Sequence, residues 1–222
     1  MLQKPFTPTL SLSIAPLKSP HFEGTGGVFF RLSSDEADKR VVALTCAHVA
    51  HPLPLFENKE YTRKRDSQPR EDIVLLGTGS YDTAVAAIMK LIGVQTLAIS
   101  IWDSNLTRLP EPTDDEPKRT TLRRNELRGL INTAKNKIEE VNELHSHVTK
   151  NFAMTGSRVI GFVLHCAKIE VGEGQFIYDW SFIEMDNKKI DWKEFKGNKL
   201  FVGKFVSSSV SLLPSIFILI FH

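Results

Sequence analysis

Apolar residues fall along this chain in two rhythms. Val41 to Thr45 is a short apolar, β-branched run with polar bounds, the pattern of a buried strand. Leu10, Leu12 and Ile14 alternate with Ser11 and Ser13, the pattern of a half-buried edge strand. A glycine-rich stretch, Glu23-Gly24-Thr25-Gly26-Gly27, leads into Val28-Phe29-Phe30, and the polar turn Ser33 to Lys39 joins it to Val41–Thr45 as a hairpin. Ile73 to Leu76 reads as another short buried strand. The rhythm then changes. From about Tyr81 to Leu106 nearly every surface of a helix would be apolar, which predicts partners on more than one side. From about Thr120 to Phe152 the apolar residues, among them Leu127, Leu130, Ile131, Ala134, Ile138, Val141, Val148 and Phe152, recur in steps of three or four between Lys, Arg, Glu and Asn. That is a coiled-coil seam. Pro110, Pro112 and Pro117, with Asp114, Asp115 and Glu116, form the turn between the helices, so an antiparallel helical hairpin is predicted. The strand pattern returns at Ser157 to Glu170, as one long strand or two short ones, and, after the turn Gly172-Glu173-Gly174, at Phe176 to Asp186.

The candidate chemistry sits at the end of the Val41–Thr45 strand, where Cys46-Ala47 turns the chain into His48. A histidine titrates near neutral pH and suits general-base work when small neighbours let its ring reach a cleft. The segments Gly24-Thr25-Gly26-Gly27-Val28-Phe29-Phe30 and Val42-Ala43-Leu44-Thr45-Cys46-Ala47-His48 together resemble the start of the trypsin-like (chymotrypsin-fold) serine proteases. The resemblance is closest to uncharacterised fungal proteins carrying such a domain. It implies an N-terminal antiparallel β-barrel with His48 as general base. The family's cysteine after the histidine is Val49 here, so that disulfide is absent. Asp179-Trp180-Ser181-Phe182-Ile183 resembles the family's acidic motif and implies Asp179 as the carboxylate that orients His48. Read by itself, Asp179 is equally a strand-end carboxylate capping a turn.

His48 and Asp179 lie 131 positions apart, where the family separates them by a few tens. The helical hairpin accounts for about 70 of those residues. The fold expected is therefore α+β: a trypsin-like antiparallel barrel in two parts, residues 1–78 and 157–204, with a helical hairpin inserted at 79–156 and an apolar tail at 205–222. This insertion requires its two ends, near Gly79 and Ser157, to lie close together. The family's serine sits in a Gly-x-Ser-Gly motif in a second barrel, and no such motif occurs in these residues. The expectation is a serine peptidase-related chain with His48 and Asp179 but no serine half, and no peptidase activity in this polypeptide. The alternative is a protein-interaction module whose working surface is the hairpin, with the barrel as scaffold.

Other features narrow the choice. A net charge of +2 gives nucleic-acid binding no electrostatic support beyond short basic runs, and the charged loop Phe56 to Asp72, with its basic run Tyr61-Thr62-Arg63-Lys64-Arg65, reads as solvated rather than as an anion or nucleic-acid contact. Gly77-Thr78-Gly79-Ser80, between strand and helix, has the outline of a phosphate-binding turn, but Asp82 stands at the third glycine position and no Lys-Ser/Thr pair follows. His145 and His147 face different sides of their helix. No cofactor and no metal site is expected. The N-terminus lacks the charged-then-apolar layout of a signal peptide, and Cys46 and Cys166 read as reduced, core-facing thiols, so a cytoplasmic location is expected. A Cys46 nucleophile paired with His48 is disfavoured by their two-residue spacing. The uncharged tail Phe205 to Phe221 would reach about 25 Å as a helix, short of the roughly 30 Å hydrocarbon core, and Pro214 interrupts it. A membrane anchor, a last strand and an aberrant end such as translated intron sequence compete; the last is favoured, because the resemblance stops near Gly203.

Overall fold

The structure is a computed structural model that describes residues 12–35, 37–189 and 198. The expectations placed on the tail and on Gly203 lie outside the described residues. The chain divides into two compact units, Met1–Asp82 with Met154–His222, and Thr83–Ala153.

The first unit is an antiparallel sheet. Its strands are β1 (Leu12–Pro16), β2 (Gly24–Gly26), β3 (Phe29–Arg31), β4 (Val41–Thr45), β5 (Tyr61–Thr62), β6 (Asp72–Leu75), β7 (Val159–Cys166) and β10 (Ser181–Met185). Along the sheet the order is β2-β1-β6-β7-β10-β4-β3, with β5 paired to β7. β8 (Glu170–Val171) and β9 (Ile177–Tyr178) form a separate small ribbon. The pairings are antiparallel. β10 buries alternate side chains, whereas β4, β6 and β7 bury successive residues and so are covered on both faces. In β10 the buried set is Ser181, Ile183 and Met185. With Ile14, Val42, Ile73, Val74 and Val163 they build the core. Each fully buried Ile or Val stabilises the fold by at most about 1.5–3 kcal/mol.

One segment ties the two ends of this path together. β2 pairs with β1 through Leu12–Gly26 and Ile14–Gly24, while the Gly27 amide donates to the Leu44 carbonyl (2.6 Å) and the Leu44 amide donates to that of Val28 (2.9 Å). The same stretch thus changes partner from β1 to β4, and the sheet curls into a half-barrel. Gly24 is required by close approach: a Cβ there would collide with the Val49 side chain.

The second unit holds nearly all of α2 (Thr78–Thr107) and the whole of α3 (Lys118–Phe152). Helices of 30 and 35 residues joined by ten residues make one compact unit only if they run antiparallel. The seam of α3 is Arg124, Leu127, Ile131, Ala134, Val141, Val148 and Phe152, all buried and three or four apart or multiples of it. Arg124 donates to the Pro110 carbonyl (2.6 Å) and to Glu116 (2.6 Å), which fixes the proline-rich turn. α2 differs from its expectation. Only Ala84 and Ile88 are buried on it, while Met89, Val94, Leu97 and Ile101 are exposed.

Two local readings are corrected and one is resolved. The run 157–170 is two strands rather than one: a 3-10 turn, Thr155–Arg158, precedes β7, and the short β8 is separate. The run 176–186 breaks at Asp179-Trp180, so β10 starts at Ser181 and Asp179 is free of the ladder. The basic run is not simply a solvated loop either. Tyr61 and Thr62 pair with Cys166 and His165, and the Arg63 guanidinium lies 4.9 Å from the Phe162 ring.

Candidate functional site

The site forms where two neighbouring strands end. Thr45, the last residue of β4, pairs with Ser181, the first of β10. Beyond that pair β4 turns into the single-turn helix α1 (Ala47–Ala50), and β10 is preceded by Trp180 and Asp179. Antiparallel register therefore brings Asp179 beside the start of α1. Its two oxygens hold one residue twice: Oδ1 accepts the His48 backbone N–H at 3.1 Å, and Oδ2 lies 2.6 Å from His48 Nδ1. A carboxylate only accepts, so Nδ1 carries the hydrogen and neutral His48 keeps its lone pair on Nε2. The His48 side chain is 57% exposed and that of Asp179 26%, which leaves the ring open to an incoming molecule. This arrangement can take up a proton at Nε2 while Asp179 steadies the resulting cation.

Cys46 sits at the same place. It is half-buried and forms no disulfide, so the expectation of a core-facing thiol is corrected. Burial, and after it the charge of Asp179, push its pKa up, which disfavours the thiolate and with it a Cys46–His48 nucleophilic pair. Its sulfur nevertheless shares a small space with a ring nitrogen of His48 and an oxygen of Asp179. The Cys-x-His spacing at a strand end was the available signal for this third donor. Cys166, by contrast, is buried and its thiol is pushed up to about 11 by burial, which makes it inert.

Two serines, Ser181 in β10 and Ser80 at the start of α2, are committed elsewhere. Ser181 is fully buried and donates to the His165 carbonyl at 2.7 Å. Ser80 donates its amide to Glu23 Oε1 (2.9 Å) and its hydroxyl to the same carboxylate. That second contact also bears on the glycine turn. The N-terminus of α2 already holds an anion, the chain's own Glu23, and the Gly77 Cα faces the Pro20 carbonyl and Glu23 so closely that any Cβ would collide with them. A phosphate would have to displace Glu23, so the turn does not fit a nucleotide.

The ends of the helical excursion meet. Arg158 Nε donates to the Leu76 carbonyl (3.1 Å), and its guanidinium carbon lies 4.3 Å from the centroid of the Tyr81 ring. Residues 76 and 158 are thus adjacent, and this is what lets β6 and β7 pair across the excursion. His145 and His147 lie on α3, away from β4 and β10 in the chain and in the other compact unit.

Comparison with protein-family models, with curated proteins and with solved structures finds no match, so the reading of this site rests on its own geometry.

Proposed function

We propose that this chain is a trypsin-like serine peptidase-related protein that keeps the His48 and Asp179 members of a triad and has no peptidase activity in these 222 residues. The observation that carries the reading is the double hold of Asp179 on His48 at 3.1 and 2.6 Å. In a Ser-His-Asp triad the carboxylate fixes the imidazole tautomer and stabilises its cation, and only that tautomer leaves Nε2 ready to accept a serine proton. On this reading the half-barrel is the N-terminal barrel of the trypsin-like fold, closed by the Gly24–Arg31 segment, and the helices are an excursion between its His and Asp strands. No Gly-x-Ser-Gly motif is present to supply the nucleophile.

Two measurements test it. Nitrogen NMR of His48 is expected to show the Nδ1–H tautomer, and an Nε2–H tautomer in the unmodified protein would sink the dyad. A fluorophosphonate serine probe is expected to leave the protein unlabelled. Labelling that disappears in His48→Ala would show an active serine and overturn the inactive reading.

A second reading, an interaction module, is favoured by one specific observation. α2 leaves Met89, Val94, Leu97 and Ile101 exposed at 49–64%, an apolar row on a helix whose residues 83–102 carry Lys90 as the sole charge.

A further inference from the structure

The geometry points to a divalent-cation site at Cys46, His48 and Asp179, of the kind that takes zinc. Each of these residues offers one ligand atom, and the sulfur, ring nitrogen and carboxylate oxygen all lie within 4.8 Å of one another. Zinc bonds of about 2.0–2.3 Å at tetrahedral angles put ligand atoms about 3.3–3.7 Å apart. The three donors are therefore within roughly an ångström of a coordination shell before any side chain turns.

The donor set has a chemical preference. A thiolate and an imidazole favour zinc and its softer neighbours over magnesium or calcium, which want oxygen ligands throughout. Three protein ligands with the His48 side chain 57% exposed leave a fourth position open to water or to a ligand. The scaffold is already ordered. Cys46 is extended (φ −77°, ψ 147°) at the start of α1, and the His48 backbone N–H steadies Asp179 through Oδ1, leaving Oδ2 for the ion. The ion takes the place of the hydrogen now between Nδ1 and Oδ2. That hydrogen moves through solvent to Nε2, so the ring binds as a neutral imidazole, and the Cys46 thiol releases its proton to solvent to become the sulfur ligand.

This inference goes beyond the peptidase-related reading and does not depend on it. The two are linked by one consequence: an ion held by His48 and Asp179 removes the Nδ1–H hydrogen bond that a general base needs.

The test uses the full chain, stripped with a chelator and kept reduced. Titration with cobalt(II) is expected to give a thiolate-to-metal absorption in the near ultraviolet at one equivalent, displaced by zinc. Cys46→Ser is expected to abolish that absorption and to weaken zinc binding at least about tenfold, measured by competition with a chromophoric chelator. His48→Ala and Asp179→Asn should weaken it similarly, and Cys166→Ser should leave both readouts unchanged. Far-ultraviolet circular dichroism confirms that each variant is folded. Absence of the thiolate absorption in the unmodified protein would overturn the site, as would zinc affinity unaltered in a folded Cys46→Ser. Neither result touches the tautomer of His48 in the metal-free protein, so failure here and failure of the dyad are separate outcomes.

Discussion

Arg158 closes the neck through which the chain leaves and re-enters the sheet: its Nε donates to the carbonyl of Leu76 at 3.1 Å. Leu76 needs the help. It is buried, and its φ of 55° is in the left-handed region that a branched residue occupies only at a cost of about 1 kcal/mol or more. The same guanidinium lies 4.3 Å from the centroid of the Tyr81 ring, at the first turns of α2. Arg158→Ala leaves a buried carbonyl short of a donor and removes the stacked cation. Equilibrium urea unfolding is expected to show a loss of about 2–4 kcal/mol. Arg158→Lys should recover only part of it, because an ammonium does not reproduce the planar contact.

Asp179→Asn separates geometry from charge at the candidate site. The asparagine oxygen still accepts the His48 amide, but its NH2 now faces Nδ1 and can only donate, so the ring must turn its lone pair there. Nitrogen NMR is expected to report a switch from the Nδ1–H to the Nε2–H tautomer. Stability should fall by only about 1 kcal/mol, since the His48 ring is largely exposed and solvent screens the pair. An unchanged tautomer would mean that Asp179 does not set the ring.

Glu23 caps α2 from a distant loop. Burial alone would raise its carboxyl, but the hydrogen bonds from Ser80, Gly79 and Ser13 outweigh that and hold it below its ordinary value of 4.5. A lowered carboxyl contributes stability above its unfolded value, and that contribution is lost as the pH falls through the folded one. Glu23→Ala is therefore expected to cost about 1 kcal/mol at neutral pH. The difference from the unmodified protein should vanish as the solution is acidified below 4.5, a crossover visible in thermal melts at several pH values.

His51 works in the opposite sense. Its ring is buried, stacked on Phe56 with centroids 4.3 Å apart and met edge-on by Tyr61. Burial pushes its pKa below the ordinary 6.5; the charge of Glu71 opposes this and that of Lys18 adds to it. The unfolded chain therefore binds the proton first, and stability declines as the pH drops below 6.5, levelling off beneath the folded value. His51→Phe is expected to flatten that decline of stability below pH 6.5. A slope that survives the substitution would assign the effect to another group.

The legible part of this molecule was periodic or local. Val41–Thr45, Ile73–Leu75 and the α3 seam follow from apolar spacing, and their burial is what the spacing means. The meeting of His48 with Asp179 was legible only through the resemblance of their motifs, because nothing in a separation of 131 positions encodes a strand register. What was not legible depended on distant partners. Helix α2 begins at Thr78 rather than about Tyr81 because Glu23, far away in sequence, caps it. Tyr61 and Thr62 join the sheet because β7 offers them an edge. Cys46 was read as core because small apolar residues usually are, whereas its position is set by the turn into α1.

The two faces of the hairpin call for different substitutions. Ile131 and Ile138 belong to the seam that holds the helices together; Ile131 is buried at 6% and Ile138 is half-buried. Ile131→Asp should therefore unfold the hairpin, at a cost of roughly 3–5 kcal/mol for an unpaired buried charge, and any lost binding would be uninformative. Leu97 and Val94 are 64% and 51% exposed on α2. Leu97→Glu and Val94→Glu should leave the melting temperature within a degree or two while removing apolar surface that a partner would cover. If α2 is a docking surface, self-association or partner capture measured by analytical ultracentrifugation falls in these variants with circular dichroism unchanged. If sedimentation is identical with and without them, the exposed row is only the outer side of a two-helix unit, and the interaction reading is lost.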